Sequence, residues 1–401
     1  MIRSVDRNRY EGEQNNLRSN ARDSQVYIGC RVPIGVLCVS FPPSHLLQTL
    51  NLTGSILSLF DMSQYAYLST PSAELAAALP KLPPSFPPID VDTMRASYLT
   101  GIHMTNSLRL KHTTLPADDQ VQVKERKVPV EGGEIRVITY APTPSDSTAH
   151  FPLFVWLHGG GWTIGAPEMD DFLLRRVSHE LQTSIVSIEY RKSPEYPFPI
   201  PINDCYDALK WAVNNASELR ASPAQGLILG GCSAGGNMTA ALTLRARDDP
   251  FFQGEGKSIT GQFLQVPCVV HPDVVPEHYK SELHSYEENP NEPVLSVAAI
   301  YKFLEFYKPD PLSPLFSPLL APSHEGLPPA YFQICGKDPL RDESFLYEKV
   351  LSKNGVKTKY EAYAGYPHAG SHSLVGLEIT KKFENDFVDG VRWLLQSSGS
   401  N

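Results

Sequence analysis

The chain of 401 residues carries 35 Lys and Arg residues against 44 Asp and Glu residues, which gives a formal net charge of −9. This acidic balance argues against a nucleic-acid-binding protein, because such proteins need a basic face for the phosphate backbone. With 41% hydrophobic and 20% charged residues, the composition is typical of a globular protein that buries a large core without disulfide bonds.

Six cysteines are spread along the chain, and no two of them have the spacing of a Cys-x-x-Cys pair or of a zinc site. We therefore expect free thiols and a reducing compartment, which favours a cytoplasmic protein. The histidines of residues 271–327 lack a metal-ligand partner four residues away in a clear helix, so no metal site is predicted.

The first 61 residues have an unusual pattern. Residues 1–25 are polar and rich in arginine, and an apolar run over residues 32–41 follows. Ten residues are too few to span a bilayer, which takes about 20, and the run lies too far along the chain for a signal peptide. We predict that residues 1–61 are an atypical N-terminal extension, either disordered or upstream of the true start at Met62. Residues 62–401 are then one folded domain.

From residue 121 onward, strand patterns alternate with helix patterns. Two alternating strands, 121–129 and 134–140, share a turn at Glu131-Gly132-Gly133. Further strands are predicted at 154–157, 184–190, 227–230, 263–270, 330–335 and 357–363. Helices are predicted at 170–181, 203–214, 236–246, 343–354 and 380–395. This alternation indicates a largely parallel sheet with helices on both faces.

Two stretches, 62–115 and 271–327, do not follow this alternation. The second is acidic and rich in proline, with the sequences YEENPNEP and SPLFSPLLAPSHEGLPP. Long inserts of this kind between sheet strands are typical of lids and caps. We predict that both stretches form a cap, and that the histidines of the insert, His271, His278, His284 and His324, face solvent or belong to the lid.

The first chemical motif is Gly231-Cys232-Ser233-Ala234-Gly235, a G-x-S-x-G sequence between a predicted strand and a predicted helix. This context is the one the motif requires, because the sharp turn leaves the serine hydroxyl exposed at the sheet edge. Glycines at 231 and 235 remove the Cβ atoms that would clash there. We predict Ser233 as the nucleophile, against the plainer interpretation of a glycine-rich turn.

The second motif, His158-Gly159-Gly160-Gly161-Trp162, directly follows the strand 154–157. Such a backbone can turn its N–H groups toward an oxyanion, and we predict the amides of Gly159, Gly160 and Ala234 as the donors. A dinucleotide-binding loop is excluded because its third glycine would stand at Ile164. His158 is expected to fix the loop by hydrogen bonding rather than to act as a base.

Two further candidates follow strand ends, namely Asp338 after strand 330–335 and His368 after strand 357–363. A serine hydroxyl is a poor nucleophile until a base takes its proton. The imidazole of His368 suits that task and can return the proton to the leaving group. Asp338 is expected to hold the imidazole in the required tautomer and to stabilise its cation.

Three competitors lie close to these residues in the sequence. Asp342 stands four residues after Asp338, where it can cap the helix that follows. His372 stands four residues after His368 and is the alternative base. Cys232 is the alternative nucleophile, although the turn should present Ser233 instead.

Together these motifs resemble the hormone-sensitive-lipase-like branch of the α/β-hydrolase esterases, over residues 62–395. Residues 158–162 are similar to its HGGGW motif, residues 231–237 to its GDSAGGN motif, and residues 338–342 to its DPLRD acid motif. The family's DYRLAPE…PFP segment also has similar residues in this chain, namely Glu189-Tyr190-Arg191, Pro194-Glu195 and Pro197-Phe198-Pro199. The chain order Ser…Asp…His is also that of these hydrolases.

The resemblance implies an α/β-hydrolase fold. Its mostly parallel eight-stranded sheet would be flanked by helices and covered by a cap from the N-terminal segment and the insert. It implies a serine ester hydrolase acting on short-to-medium acyl esters of small molecules, without metal or cofactor. Members similar to this chain also serve secondary metabolism by removing acyl groups. A monomer and a homodimer are both compatible with the sequence.

Two positions depart from the family pattern. Cys232 stands where the family usually has Asp, and Ala369 stands where Gly is common after the histidine. Amide deacylation and acyl transfer use the same triad and remain alternative functions. A non-catalytic receptor on this fold is a further alternative, but receptors of this branch have lost the histidine that His368 supplies here.

Overall fold

The computed structural model describes residues 63–82, 90–111, 115–117, 119–143, 146 and 148–397. The predicted N-terminal extension, residues 1–61, lies outside the described residues, as do Cys30 and Cys38. Among the described helices, none combines the length and the apolar character that crossing a membrane requires.

Eight strands form one sheet. They are β1 (Val121–Val130), β2 (Gly133–Pro142), β3 (Leu153–Leu157), β4 (Ser184–Glu189), β5 (Leu227–Cys232), β6 (Gly261–Gln265), β7 (Ala330–Lys337) and β8 (Thr358–Pro367). Their spatial order is β1-β2-β4-β3-β5-β6-β7-β8. β2 runs antiparallel to both of its neighbours, and all other neighbouring strands are parallel. The predicted α/β-hydrolase fold with a mostly parallel eight-stranded sheet is confirmed.

Ten α-helices lie within the described residues. They are α1 (Ala73–Ala78), α2 (Val91–Arg109), α3 (Asp171–Leu181), α4 (Ile200–Asn214), α5 (Ala234–Arg247), α6 (Glu277–Lys280), α7 (Ser285–Glu288), α8 (Val297–Tyr307), α9 (Arg341–Lys353) and α10 (Glu378–Ser397). Short 3₁₀ turns occupy Ala66–Ser69, Leu79–Lys81, Pro167–Met169, Ala216–Leu219, Pro223–Gln225, Pro272–Val274, Pro318–Leu320 and Gly370–His372.

The core has two layers, one on each face of the sheet, because successive strand residues point to opposite faces. In β3, Leu153, Val155 and Leu157 pack with α4 and α5, whereas Phe154 and Trp156 pack with α3 and α10. Helix α9 packs on the side of α4 and α5, against the far end of the sheet. The parallel strands between the two helix layers are buried on both faces, as a parallel sheet requires.

One predicted strand is shorter in the structure. The apolar run 263–270 continues past the strand, but β6 ends at Gln265 because Val266 has a left-handed φ of 43° and Pro267 follows. Cys268 therefore lies in a buried segment beyond β6. The described cysteines, Cys205, Cys232, Cys268 and Cys335, are all buried and unpaired in disulfides.

The structure adds helices in both stretches for which the sequence predicted no regular element. Helix α2 follows the N-cap Asp90, whose carboxylate accepts from the Thr93 amide at 2.9 Å. Helix α8 follows the N-cap Ser296, whose hydroxyl accepts from the Ala299 amide at 3.2 Å. An Asp or a Ser directly before a helix, where it can accept from the amide of the third helical residue, is a signal that can be read from sequence.

Of the two alternatives for the histidines of the insert, solvent exposure does not apply to His271 and His324. His271 and His324 are 8% and 5% exposed. The Nε2 atom of His324 lies 2.9 Å from the Pro318 carbonyl, and the Nδ1 atom of His271 accepts from the Asp273 amide at 3.2 Å. In each ring, a partner in the same insert satisfies one nitrogen atom, which makes burial of the imidazole possible.

Candidate active site

Ser233 stands between β5 and α5 in a strained conformation, with φ of 55° and ψ of −114°. The turn is closely packed on both sides of the serine. A Cβ atom on Gly231 would lie 2.4 Å from the Gly235 carbonyl carbon, and one on Gly235 would lie 2.0 Å from the Leu157 carbonyl oxygen. Both positions therefore require glycine, and the strained turn is the one that presents a nucleophilic serine in this motif.

Of the three residues predicted as a triad, His368 lies within hydrogen-bond distance of both Ser233 and Asp338. The Nε2 atom of His368 is 2.8 Å from Ser233 Oγ, and its Nδ1 atom is 2.7 Å from Asp338 Oδ2. Asp338 follows β7 and His368 follows β8, so parallel strands bring them to the edge where β5 ends at Ser233. A base between a hydroxyl and a carboxylate is the arrangement that activates a serine.

Asp338 is held in place by its second oxygen. Its Oδ1 atom accepts from the Leu340 amide at 2.8 Å, and the side chain is 1% exposed. The competing Asp342 is occupied elsewhere, because it accepts from Arg341 Nε at 2.8 Å and from the His284 amide at 2.9 Å. Asp342 therefore ties the acid loop to the insert and does not reach His368.

The competing histidine belongs to a second, separate pair. His372 Nε2 lies 2.8 Å from Asp170 Oδ1, and the indole of Trp156 donates to Asp170 Oδ2 at 2.7 Å. Burial alone would raise the pKa of Asp170, but its hydrogen bonds from His372 and Trp156 and the charge of His372 hold that pKa below its ordinary value. The sequence did not predict this pair.

The glycine-rich loop lies directly beside the nucleophile. A Cβ atom on Gly159 would lie 3.5 Å from Ser233 Cβ. Within the described residues, no protein acceptor takes the amide of Gly159 or Gly160, and the Ala234 amide opens α5, where the first N–H groups have no partner inside the helix. Gly160 and Gly161 have φ of 116° and 56°, which explains the glycine run.

His158 is buried under this loop and supports it. Its Nδ1 atom lies 2.7 Å from the Gly159 carbonyl, and its ring stacks on Tyr190 with 4.3 Å between ring centroids. The Tyr190 hydroxyl donates to the His158 carbonyl at 3.1 Å. Burial lowers the pKa of His158 to about 4, so this imidazole is neutral at pH 7. These contacts agree with the predicted structural role.

Helix α8 packs behind the glycine-rich loop, and we call Trp162, Phe303 and Tyr307 together the aromatic wall. Trp162 stacks on Tyr307 with 4.6 Å between ring centroids and an angle of 2° between the rings. The ring of Phe303 lies against Gly161, where a Cβ atom would approach it to 2.3 Å. The loop and the insert are therefore packed together, and Gly161 is the residue that permits this contact.

Two buried groups near the triad were not singled out as site residues by the sequence analysis. Asn289, at the end of α7, donates from Nδ2 to the Asp338 carbonyl at 3.5 Å. Glu343 accepts from the amides of Val269 and Val270 at 2.7 and 3.2 Å and from the Tyr286 hydroxyl at 3.2 Å. The position of Glu343 directly after the acid motif is the one sequence signal that could have indicated it.

The alternative nucleophile Cys232 is buried beside the turn. Its side chain is 1% exposed, and burial raises the pKa of its thiol well above the ordinary value. It is therefore a neutral, packed thiol rather than a thiolate. Within the part of the chain that the structure describes, no group of three or more His, Cys, Asp or Glu side chains is arranged to hold a metal ion.

This fold, with a strained serine, a histidine and a carboxylate at the ends of its parallel strands, defines the class of α/β hydrolases. Residues 154–371 match the family described as alpha/beta hydrolase fold, which is more than half of the chain. The chain belongs to this family, in its hormone-sensitive-lipase-like branch, and is a hydrolase.

Individual relatives agree with this assignment. The chain is 33% identical over 314 residues to the versiconal hemiacetal acetate esterase of Aspergillus parasiticus, covering 78% of this chain and 94% of that protein. It is similar to the crystal structure of a vibralactone cyclase, with 40% identity and a TM-score of 0.79. The match covers 83% of this chain and 97% of that chain. The structure of an esterase of Pyrobaculum calidifontis is also similar, with 28% identity and a TM-score of 0.68. This match covers 81% of this chain and 99% of that chain.

Proposed function

We propose that the chain is a serine carboxylic ester hydrolase that acts through an acyl-enzyme on Ser233. The observation that carries the proposal is the position of His368, 2.8 Å from Ser233 Oγ and 2.7 Å from Asp338 Oδ2. With Nδ1 donating to the carboxylate, Nε2 is left free to accept the serine proton. The tautomer is inferred from the carboxylate partner.

In the acylation step, Ser233 Oγ attacks the ester carbonyl while His368 takes its proton. The protonated imidazole then gives this proton to the leaving alkoxide, so an alcohol departs and the acyl group stays on Ser233. In the second step, His368 takes a proton from the water that attacks the acyl-enzyme, and it returns this proton to Ser233 Oγ as the acid leaves. Asp338 stabilises the imidazolium in both steps.

The negative charge on the carbonyl oxygen would be met by the amides of Gly159, Gly160 and Ala234. Two of them belong to the loop fixed from below by His158, and the third opens helix α5. Fixed donors of this kind need no reorganisation when the charge appears, and one such donor is worth about 3 kcal/mol in the transition state.

The substrate class that we propose is a short-to-medium acyl ester of a small molecule, in secondary metabolism. The similarity to an Aspergillus enzyme named versiconal hemiacetal acetate esterase supports a short acyl group on a larger alcohol. Residues 62–115 and 271–327, the proposed cap, would set the choice of alcohol.

A second candidate is acyl transfer to a hydroxyl other than water. The similarity to a structure named vibralactone cyclase, at 40% identity, favours it. In this case a hydroxyl of the bound acyl group would attack the acyl-enzyme on Ser233, and the product would be a lactone instead of an acid. Both functions use the same first step.

The test is hydrolysis of p-nitrophenyl esters from C2 to C12 by the wild type and by Ser233→Ala and His368→Ala. We expect turnover that is greatest on short chains and falls at least about 1,000-fold in either variant. A fluorophosphonate probe should add one label, located on Ser233 by mass spectrometry. The control is Ser371→Ala, three residues after His368, which should keep wild-type activity.

Equal turnover by the wild type and Ser233→Ala would refute the mechanism. The two candidates are separated with an ester of a hydroxy acid. Free acid as the product supports hydrolysis, and lactone supports acyl transfer within the substrate.

A further inference from the structure

Helix α2 contacts both loops that carry the proposed catalytic groups. Its C-terminal half donates hydrogen bonds to the histidine loop, which we define as residues 365–374. Its N-terminal half donates to the segment that follows the glycine-rich loop. One helix from the N-terminal stretch thus spans the two halves of the site.

At the C-terminal end, Arg109 reaches the histidine loop from a buried position. It donates to the Ser371 carbonyl, three residues after His368, and pairs with Glu384 of α10 at 2.7 Å. The two side chains are 6% and 12% exposed, and the guanidinium lies 5.1 Å from the centre of the Phe172 ring. A charge taken this far out of water persists only when its hydrogen bonds are satisfied, so Arg109 is held in one place.

His372, which follows Ser371 in the histidine loop, is held from two sides. Thr105 of α2 donates from Oγ1 to the His372 carbonyl at 3.0 Å. The ring of His372 is held by the buried Asp170, with 2.8 Å between Nε2 and Oδ1. Neither contact involves the triad, and both restrain the backbone that carries His368.

At the N-terminal end, Arg95 binds the segment after the glycine-rich loop. It donates from Nε to the Thr163 carbonyl at 3.0 Å and from Nη2 to the Ser193 carbonyl at 2.8 Å. Its guanidinium also makes two hydrogen bonds to the Glu195 carboxylate, at 2.9 and 2.6 Å. Thr163 in turn donates from Oγ1 to the Gly161 carbonyl at 2.9 Å and from its amide to the Gly160 carbonyl at 3.1 Å, so Arg95 reaches the glycine-rich loop through one residue.

We propose that α2 is a strap that sets the distance between the proposed base and the proposed oxyanion donors, with Arg109 as the positioning residue for His368 and Arg95 for the glycine-rich loop. The proposal rests on the proposed function for its effect on turnover. Its structural part, restraint of the histidine loop by Arg109, does not depend on any activity.

The first test is hydrogen–deuterium exchange of the full chain, read by mass spectrometry. Arg109→Lys keeps the positive charge but removes the planar group that joins Glu384 to the Ser371 carbonyl. We expect exchange in peptides of residues 365–374 to rise at least about fivefold, with peptides of α4 unchanged. The matched control is Arg176→Lys, since Arg176 lies by the same Phe172 ring but donates to Glu180 and Asn385 instead.

The second test is steady-state hydrolysis of a p-nitrophenyl ester. A displacement of about 1 Å at a reacting group costs about 100-fold in rate. We expect Arg109→Lys to lower kcat by about 10- to 100-fold with KM within about threefold. Thr105→Val, a milder change that keeps the side-chain shape, should lower kcat by about threefold and keep the melting temperature. Arg95→Gln should also lower kcat, without faster exchange in residues 365–374.

Unchanged exchange in residues 365–374 of both Arg109→Lys and Thr105→Val would overturn the strap. The strap would also be overturned if the variants lost activity only in proportion to the fraction of protein that is unfolded. Faster exchange without any Ser233-dependent turnover in the wild type would support the strap and refute the proposed function, so the two failures are distinguishable.

Discussion

The two oxygens of Asp338 have different partners, and this division orients the carboxylate. Oδ1 accepts from the Leu340 amide at 2.8 Å, which leaves Oδ2 for His368 at 2.7 Å. Asp342, one turn further along, is fully engaged by Arg341 and the backbone of His284. Side chains of one type in one motif thus have different roles because their hydrogen-bond partners differ.

Substituting Asp338→Asn should leave the fold intact and stop the chemistry. The new amide would donate to His368 Nδ1, which forces the proton onto Nε2 and prevents that atom from accepting the serine proton. We expect kcat to fall by about 10,000-fold, measured on a p-nitrophenyl ester beside the melting temperature.

Asp342→Asn is the control, because it lies in the same motif but off the triad. It should lower the melting temperature, since Arg341 would lose a buried partner, and it should keep most of kcat. The opposite result, with Asp342→Asn inactive and Asp338→Asn active, would reassign the acid.

At the level of elements, the parallel sheet gathers the site and helix α8 closes against it. The strands β5, β7 and β8 end at one edge, where Ser233, Asp338 and His368 follow them. Helix α8 then lays Phe303 against Gly161 and Tyr307 against Trp162. The position of the glycine-rich loop therefore depends on an element that lies about 140 residues further along the chain.

Gly161→Ala tests this contact between elements. The new Cβ atom would lie 2.3 Å from the Phe303 ring, at a residue whose φ is 56°, so the loop or the ring must move. We expect kcat/KM to fall by about 10- to 100-fold. Adding Phe303→Ala should recover part of this loss, because space returns while the backbone strain of about 1 kcal/mol remains.

The control is Gly133→Ala at the start of β2, where a Cβ atom would meet no atom within 4 Å and no left-handed φ is required. It should behave as the wild type does. If Gly161→Ala also matches the wild type in kcat/KM, the aromatic wall does not set the loop.

At the level of the whole molecule, Glu343 joins three separate parts of the chain. From α9 it accepts hydrogen bonds from the Val269 and Val270 amides after β6 and from Tyr286 of the insert. Burial raises its pKa to about 7, with a smaller contribution from the charge of Asp338, although the three donors act in the opposite direction. Cys268 and Tyr286 are the other titratable groups that face it.

This raised pKa predicts a dependence of stability on pH. The ordinary pKa of a glutamate is 4.5. Between pH 4.5 and about 7 the unfolded chain has lost the Glu343 proton while the folded chain keeps it, so folding takes up a proton. The contribution of Glu343 to the free energy of unfolding therefore falls as pH rises through this window, by at most about 1.4 kcal/mol per pH unit.

Urea unfolding of the wild type and Glu343→Gln at pH 5.0, 6.0 and 7.5 measures this effect. We expect the free energy of unfolding of the variant, relative to the wild type, to increase by about 2 to 3 kcal/mol from pH 5.0 to 7.5. His158, buried with a pKa of about 4, contributes a change of the opposite sign between pH 4 and 6.5. Since it is present in both proteins, it cancels in the difference, and parallel pH curves would contradict the prediction.

The sequence by itself determined the class of fold and the candidate triad. Strand and helix patterns predicted the sheet, and the motifs around Ser233 and Gly159 are contiguous segments whose backbone conformation depends on their own glycines. Asp338 and His368 were found because the carboxyl ends of parallel strands meet at one edge.

The tertiary structure alone decided which of several similar side chains pair with one another. Asp342 lies 3.1 Å from the hydroxyl of Ser63, 279 residues earlier, and His372 pairs with Asp170, 202 residues earlier. Local propensity carries no information about such contacts, because they form only when distant elements dock and bury shared polar groups. For the same reason the roles of α2, α8 and Glu343 became visible only in the folded chain.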